Sequence, residues 1–286
     1  MAAKIKLIEC PRDAMQGWKN FIPTAEKINY LQSLLDVGFD TIDAGSFVSH
    51  KAIPQMADTA EVFSAIDLSG SSTRLLAIVA NDRGAKEAAA FEVVTFIGFP
   101  FSISETFQLR NTNSTISESY NRLQDIAATC AKTGKQLVVY LSMGFGNPYN
   151  DPYSPEIVSG WAEKIGELGV KIISLADTVG LATPGQVFES TSTLIRSMPS
   201  VQIGVHLHSS PYNWQQKLEA AVRAGCTRID GALKGIGGCP MAGDDLVGNM
   251  DMENMIGWLQ QQGLADGINQ DALQKSLAMA DKIFSH

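Results

Sequence analysis

Cysteine is scarce in this chain: four residues in 286, at positions 10, 130, 226 and 239, none in a CxxC pair. That spacing excludes a disulfide-dense secreted scaffold and a locally built zinc knuckle, and reads as free thiols in a reducing cytoplasm. No apolar run approaches the roughly 18 residues needed to cross a bilayer. The opening "MAAKIKLIEC" has no long apolar stretch, so no targeting segment is expected. Charge is modest, at 18% Asp, Glu, Lys and Arg, and acidic in balance, with a net −8. This argues against general binding to nucleic acid or to acidic membranes, and leaves room for a local basic patch that takes an anionic ligand. Linkers, low-complexity segments and charge blocks are also missing, so residues 1–286 read as one domain.

What is present is alternation. Eight short β-rich apolar runs, at 5–10, 40–45, 74–80, 92–98, 136–142, 171–177, 202–208 and 228–233, are separated by segments of helical period. Helices are expected over 24–37, 57–67, 82–90, 115–133, 154–169, 183–198, 213–225 and 251–262. Thr24, Ser154 and Thr183 serve as caps, with Pro155 and Pro184 in the first turn and Gly38 and Gly169 as stops. Eight βα units with nearly continuous apolar strands imply a parallel sheet covered by helices, and at this length a closed (β/α)8 TIM barrel leads over an open doubly wound sheet. The barrel should cover about 5–262, with C-terminal helices over about 263–286. No GxGxxG follows the first strand, which disfavours a dinucleotide fold.

In such a barrel, chemistry gathers at the C-terminal ends of the strands. Arg12 and Asp13 follow strand 1, Asp43 ends strand 2, Asp177 ends strand 6, and His206 and His208 end strand 7. After strand 8 come "GIGGCP", with Cys239, and then Asn249. Residues i and i+2 of a strand face one side, so both imidazoles of "HLH" can aim at one point. Asp13 can add a carboxylate and Asn249 an amide oxygen, a donor set that suits Mg²⁺ or Mn²⁺ and leaves zinc possible through the imidazoles. Plainer roles compete. Loop aspartates such as Asp43 and Asp177 often hold backbone amides, Arg12 can simply pair with one of them, and cysteine is often just buried. Cys10 and Cys226 read as core, and His50 and His286 as surface. The glycines around Cys239 would give its loop mobility and close approach to a ligand.

The stretches "ECPRDAMQGWKN", "DAGSFVSHKAIPQMAD", "SLADTVGLATPG", "VHLH" and "GIGGCPMAGDDLVGN" occur in this order from about residue 5 to residue 262. Together they resemble the 3-hydroxy-3-methylglutaryl-coenzyme A lyase family of metal-dependent (β/α)8 lyases. The resemblance implies retro-Claisen cleavage of a 3-hydroxyacyl thioester to acetyl-CoA and acetoacetate. It implies a metal held by Asp13, His206, His208 and Asn249, an enolate steadied by Arg12, and proton transfer by Cys239. It also implies functional acids at Asp43 and Asp177 and a functional lysine at Lys19. The general base stays open among His206, Asp13 and Asp177. Lys19, Lys51 and Arg110 are the candidates for the coenzyme A phosphates, and a homodimer is expected. Ala14, Asp43, Ser209 and Met241 stand where the family usually has Gly, Glu, Asp or Asn, and Tyr or Phe; these departures bear on the acyl group. Two other readings compete: a superfamily relative that cleaves or condenses a different acyl substrate, and a catalytically silent barrel.

Overall fold

Eight parallel strands close on themselves in chain order: β1 (Lys6–Glu9), β2 (Thr41–Ser46), β3 (Arg74–Ile78), β4 (Val94–Ser102), β5 (Gln136–Ser142), β6 (Ile172–Ala176), β7 (Gln202–His206) and β8 (Arg228–Gly231). The seam pairs Lys6 with Arg228 and Ile8 with Asp230. This is the (β/α)8 barrel expected from the alternation. The computed structural model describes residues 4–238 and 247–285, so Cys239, Met241 and His286 lie outside the described residues.

The helices are α1 (Pro11–Gln16), α2 (Thr24–Leu35), α3 (Thr59–Ala65), α4 (Asp82–Ala89), α5 (Glu105–Thr112), α6 (Ile116–Thr133), α7 (Pro155–Glu167), α8 (Pro184–Ser197), α9 (Trp214–Arg223), α10 (Met252–Gln261) and α11 (Gln270–Ile283). Ser154 caps α7 through the amide of Ile157, and Thr183 forms a capping box with Gln186 on α8. Thr24 does not cap: it lies inside α2, and its hydroxyl donates to Asp58 Oδ2 at 2.8 Å, a charge-assisted bond. Two helices had no counterpart in the periodicity. The six-residue α1 is too short to show a period. The eight-residue α5 is announced only by its cap, where Ser104 accepts from Phe107 N.

Strand β4 runs four residues past its apolar run and contains Pro100. Proline lacks the N–H that a central strand donates. Here β3 pairs only as far as Gly98, and beyond it β5 alone continues alongside. Pro100 therefore sits where one neighbour has already ended.

Outward-facing strand residues pack beneath the helices as one large core. Inside the barrel, Leu76, Ile78, Phe96, Val138, Tyr140 and Ile172 form a separate cluster, and Ile8, Cys10 and Ala232 another. Cys10, Cys130 and Cys226 are free and buried. Among the described residues no helix is long and apolar enough to cross a membrane.

Candidate active site

Helix α1 starts directly after β1 with Pro11 in its first turn, where the missing N–H costs nothing. This turn delivers Arg12 and Asp13 to the C-terminal mouth of the barrel, both nearly buried at 8% exposure. Arg12 grips Asp43 with Nε at 3.2 and 3.1 Å from the two carboxylate oxygens and Nη2 at 2.5 Å from Oδ2. Its Nη1 reaches Asp13 Oδ1 at 3.2 Å and Gln16 Oε1 at 2.8 Å. Gln16 returns a bond to Asp13 Oδ1 at 2.7 Å. Burial opposes the guanidinium's charge, but Asp43 and Asp13 more than offset it, so Arg12 remains a cation aimed along this mouth.

Asp13, His206 and His208 each offer a ligand atom, all within 4.8 Å of one another. Strand alternation accounts for the two imidazoles, whose ring centres lie 5.4 Å apart. Nδ1 of His206 lies 3.3 Å from Asp230 Oδ2. Burial works against protonation of His206, yet the bond and charge of Asp230, with Asp13, raise its pKa. Burial and the neighbouring His206 push His208 down to about 3, which keeps it neutral and able to ligate. Burial lifts the Asp13 carboxyl, but Arg12 and His206, with a bond from Asn249, hold it below its ordinary range.

Asn249 comes from the far side of the glycine-rich loop. An antiparallel bridge pairs it with His208, supported by bonds from Ser209 N to Gly248 O and from Met250 N to Leu207 O. Its Nδ2 donates to Asp13 Oδ2 at 2.7 Å and Ile236 O at 2.9 Å. The "GIGG" run must pass close by. Gly237, at φ +101°, would place a Cβ 2.6 Å from Asn249 Nδ2, and Gly238, at φ +136°, one 2.7 Å from Val247 O. Both positions exclude a side chain on space and on backbone conformation.

These residues fit a hard divalent ion. Asn249 Oδ1 is buried without a partner among the described residues, so a neutral oxygen is left over beside two imidazoles and a carboxylate. A deeper set, Cys10, His206 and Asp230, also lies within 4.8 Å. Burial, together with Asp230, Asp43, Glu9 and Asp13, pushes the Cys10 thiol well up, so its thiolate is disfavoured and the oxygen-bearing set is the better site.

The remaining sequence candidates divide. Asp43 is joined to Arg12 in this cluster. Asp177 is buried at 2% exposure, with Oδ1 accepting from Ala182 N at 3.0 Å and Oδ2 from Lys217 Nζ at 2.7 Å. Lys51 is exposed and lines a cleft of about 300 Å³ with Val48, Ser49, His50, Arg83 and Glu87, above the end of β2. Lys19 is exposed outside that lining, and Arg110 is also exposed, stacking over the Tyr149 ring at 4.8 Å. Cys239 falls outside the described residues. Sequence reasoning passed over Asp230, Gln16 and Lys217. Asp230 carried a signal, as a lone acid inside the apolar run "RIDGAL"; Gln16 lies one helical turn beyond Arg12; a lysine inside an amphipathic helix gives none.

A barrel that gathers an arginine, a carboxylate, two histidines and an asparagine at the ends of its strands is built as an enzyme of the (β/α)8 class. The chain belongs to the HMGL-like family, whose model matches residues 4–279. It is 33% identical over 284 residues to the mitochondrial hydroxymethylglutaryl-CoA lyase of Bos taurus, a match covering 96% of this chain and 83% of the relative. It is 32% identical over 269 residues to the cytoplasmic 3-hydroxy-3-methylglutaryl-CoA lyase of Danio rerio, covering 93% and 78%. Among solved structures, the HMG-CoA lyase of Acinetobacter baumannii in complex with coenzyme A and 3-methylmalate is similar, with a TM-score of 0.92 at 30% identity. That match covers 100% of this chain and 94% of that one.

Proposed function

We propose that this chain is a metal-dependent carbon–carbon lyase that cleaves a 3-hydroxyacyl-CoA, with 3-hydroxy-3-methylglutaryl-CoA as its first candidate, to acetyl-CoA and acetoacetate. The observation that carries the reading is the convergence of Asp13, His206, His208 and the unpartnered oxygen of Asn249 beside Arg12. These four residues would hold Mg²⁺ or Mn²⁺, which when bound supplies Lewis acidity that orients the substrate hydroxyl and lowers its pKa.

Breaking the C2–C3 bond leaves its electron pair on the acetyl thioester as an enolate. Arg12 is the preorganised cation for that oxygen, held in place by Asp43 and Gln16 before substrate arrives. The proton of the 3-hydroxyl must leave as the carbonyl of acetoacetate forms. The candidate bases are His206, Asp13 and Asp177, each held by neighbours: His206 by Asp230, Asp13 by Arg12, Gln16 and Asn249, and Asp177 by Lys217 and Ala182. The enolate carbon then takes a proton from Cys239, the role the family resemblance implies; an unperturbed thiol, with a pKa of about 8.5, is protonated at neutral pH and can supply it. Lys51, with His50 and Arg83 in one cleft, is the leading contact for the coenzyme A phosphates, and Lys19 and Arg110 are the further candidates. A cytoplasmic location, read from the widely spaced cysteines, and a homodimer, which rests on the family resemblance, are part of this reading.

The test is release of acetyl-CoA and acetoacetate from 3-hydroxy-3-methylglutaryl-CoA with Mg²⁺ or Mn²⁺ and its loss on chelation, beside a panel of other 3-hydroxyacyl-CoAs. Turnover of a differently branched analogue with a higher kcat/KM would move the substrate, as Ala14, Asp43, Ser209 and Met241 suggest. No acetyl-CoA from any member of the panel would overturn the reading.

A further inference from the structure

Lys217 is a helix residue that behaves like a core residue. It lies on α9, its side chain is 1% exposed, and Nζ meets three oxygens: Asp177 Oδ2 at 2.7 Å, His208 O at 2.8 Å and Gly180 O at 3.3 Å. An ammonium has three donors, so every one is used. The three acceptors belong to two different strand-end segments. Asp177 and Gly180 lie in the loop after β6, and His208 lies just past the end of β7. A Cβ on Gly180 would lie 2.9 Å from Val247 Cγ1, and Val247 is two residues before Asn249. One buried cation thus braces the main chain that carries His208 and the loop that backs the Asn249 segment.

We propose that Lys217 is a positioning residue: it fixes the peptide from which His208 projects, so that the imidazole is held toward Asp13 and His206, and it makes Asp177 a structural counter-ion. The inference rests on the reading that these residues hold a divalent ion. A merely structural ion pair would contribute to stability, and removing both of its charges together would repair the damage. A positioning residue would leave a second deficit, because the His208 and Gly180 carbonyls lose their donor even when no charge is left unpaired.

The experiment compares the parent with Lys217→Met, Lys217→Gln and the double variant Lys217→Met/Asp177→Asn, reading Tm by circular dichroism and Mn²⁺ affinity by calorimetry. Parent protein that binds no Mn²⁺ defeats the metal reading itself and is told apart in that first arm. With a binding parent, Lys217→Met is expected to lose Tm, and the double variant to recover most of it. The double variant and Lys217→Gln are both expected to bind Mn²⁺ about 10-fold or more weaker, the usual scale for removing an outer partner of a metal ligand. A folded variant within twofold of the parent's Kd overturns the proposal. So does failure of all three to fold, which would make Lys217 a core ion pair and nothing more.

Discussion

Asn249 donates from Nδ2 to Asp13 Oδ2 at 2.7 Å and presents a buried Oδ1 that no described residue satisfies. The amide therefore does two things at once: it orients one carboxylate and it offers a free oxygen. Asn249→Ala is expected to weaken Mn²⁺ binding by about 10-fold or more, while the far-ultraviolet circular dichroism of the barrel is kept. An unchanged Kd in calorimetry would remove Asn249 from the metal set.

Arg12 meets Asp43 through Nε and Nη2 together, a geometry that a lysine cannot reproduce. Arg12→Lys keeps the charge and loses the fork. Its kcat for acetyl-CoA release is expected to fall by about 10²-fold or more, the scale of losing one preorganised donor, with KM within a few fold. If steady-state kinetics placed the loss in KM alone, the side chain would be a binding group and not a stabiliser of developing charge.

Asp230 engages Nδ1 of His206 and so leaves Nε2 as the ring's free lone pair when the imidazole is neutral. Asp230→Asn is expected to mix the tautomers of His206, visible in ¹⁵N chemical shifts of the metal-free protein, and to weaken Mn²⁺ by about 10-fold. A single unaltered tautomer together with an unaltered affinity would show that the carboxylate has no such hold.

Glu9 is fully buried, and burial raises its pKa well above the ordinary 4.5 despite the bond from Leu233 N, with Glu253 and Asp251 adding to the rise. The folded state then holds a proton that the unfolded state has released, so stability falls as pH climbs from about 4.5 through the raised value. Glu9→Gln keeps the acceptor for Leu233 and removes the ionisation. Its Tm advantage over the parent is expected to be small near pH 5 and to reach about 2 °C or more near pH 8.5. Parallel Tm curves across that range would mean that Glu9 titrates normally.

Much of the site was legible because its residues sit where a barrel must put them. Arg12, Asp13, Asp43, His206 and His208 all follow or end a strand, and alternation aims the two histidines together before any packing is known. Asn249 was read from its place after the eighth strand, but its approach to His208 depends on a loop folding back to form one antiparallel bridge, which no local signal announces. Lys51 stood among three basic candidates, and the structure places it in a cleft with His50, Arg83 and Glu87, a neighbourhood that the sequence did not announce.

By itself the sequence determined the number and kind of elements, because hydrophobic period, caps and stops are local properties of a chain. All eight strands and the long helices lie where those signals put them, and the short α1 and α5 escaped because a helix of two turns or fewer shows no period. Tertiary structure alone decided which charges became partners. Lys217 gives no signal in the sequence, and Asp177 reads there only as an acid at a strand end, structural or functional. Closing the barrel brings them to 2.7 Å, 40 residues apart in the chain, because burying either charge alone would be far costlier than burying the pair. Asp230 beneath His206 and Asn249 beside Asp13 were settled in the same way, by what the closed barrel left within reach of an unsatisfied atom.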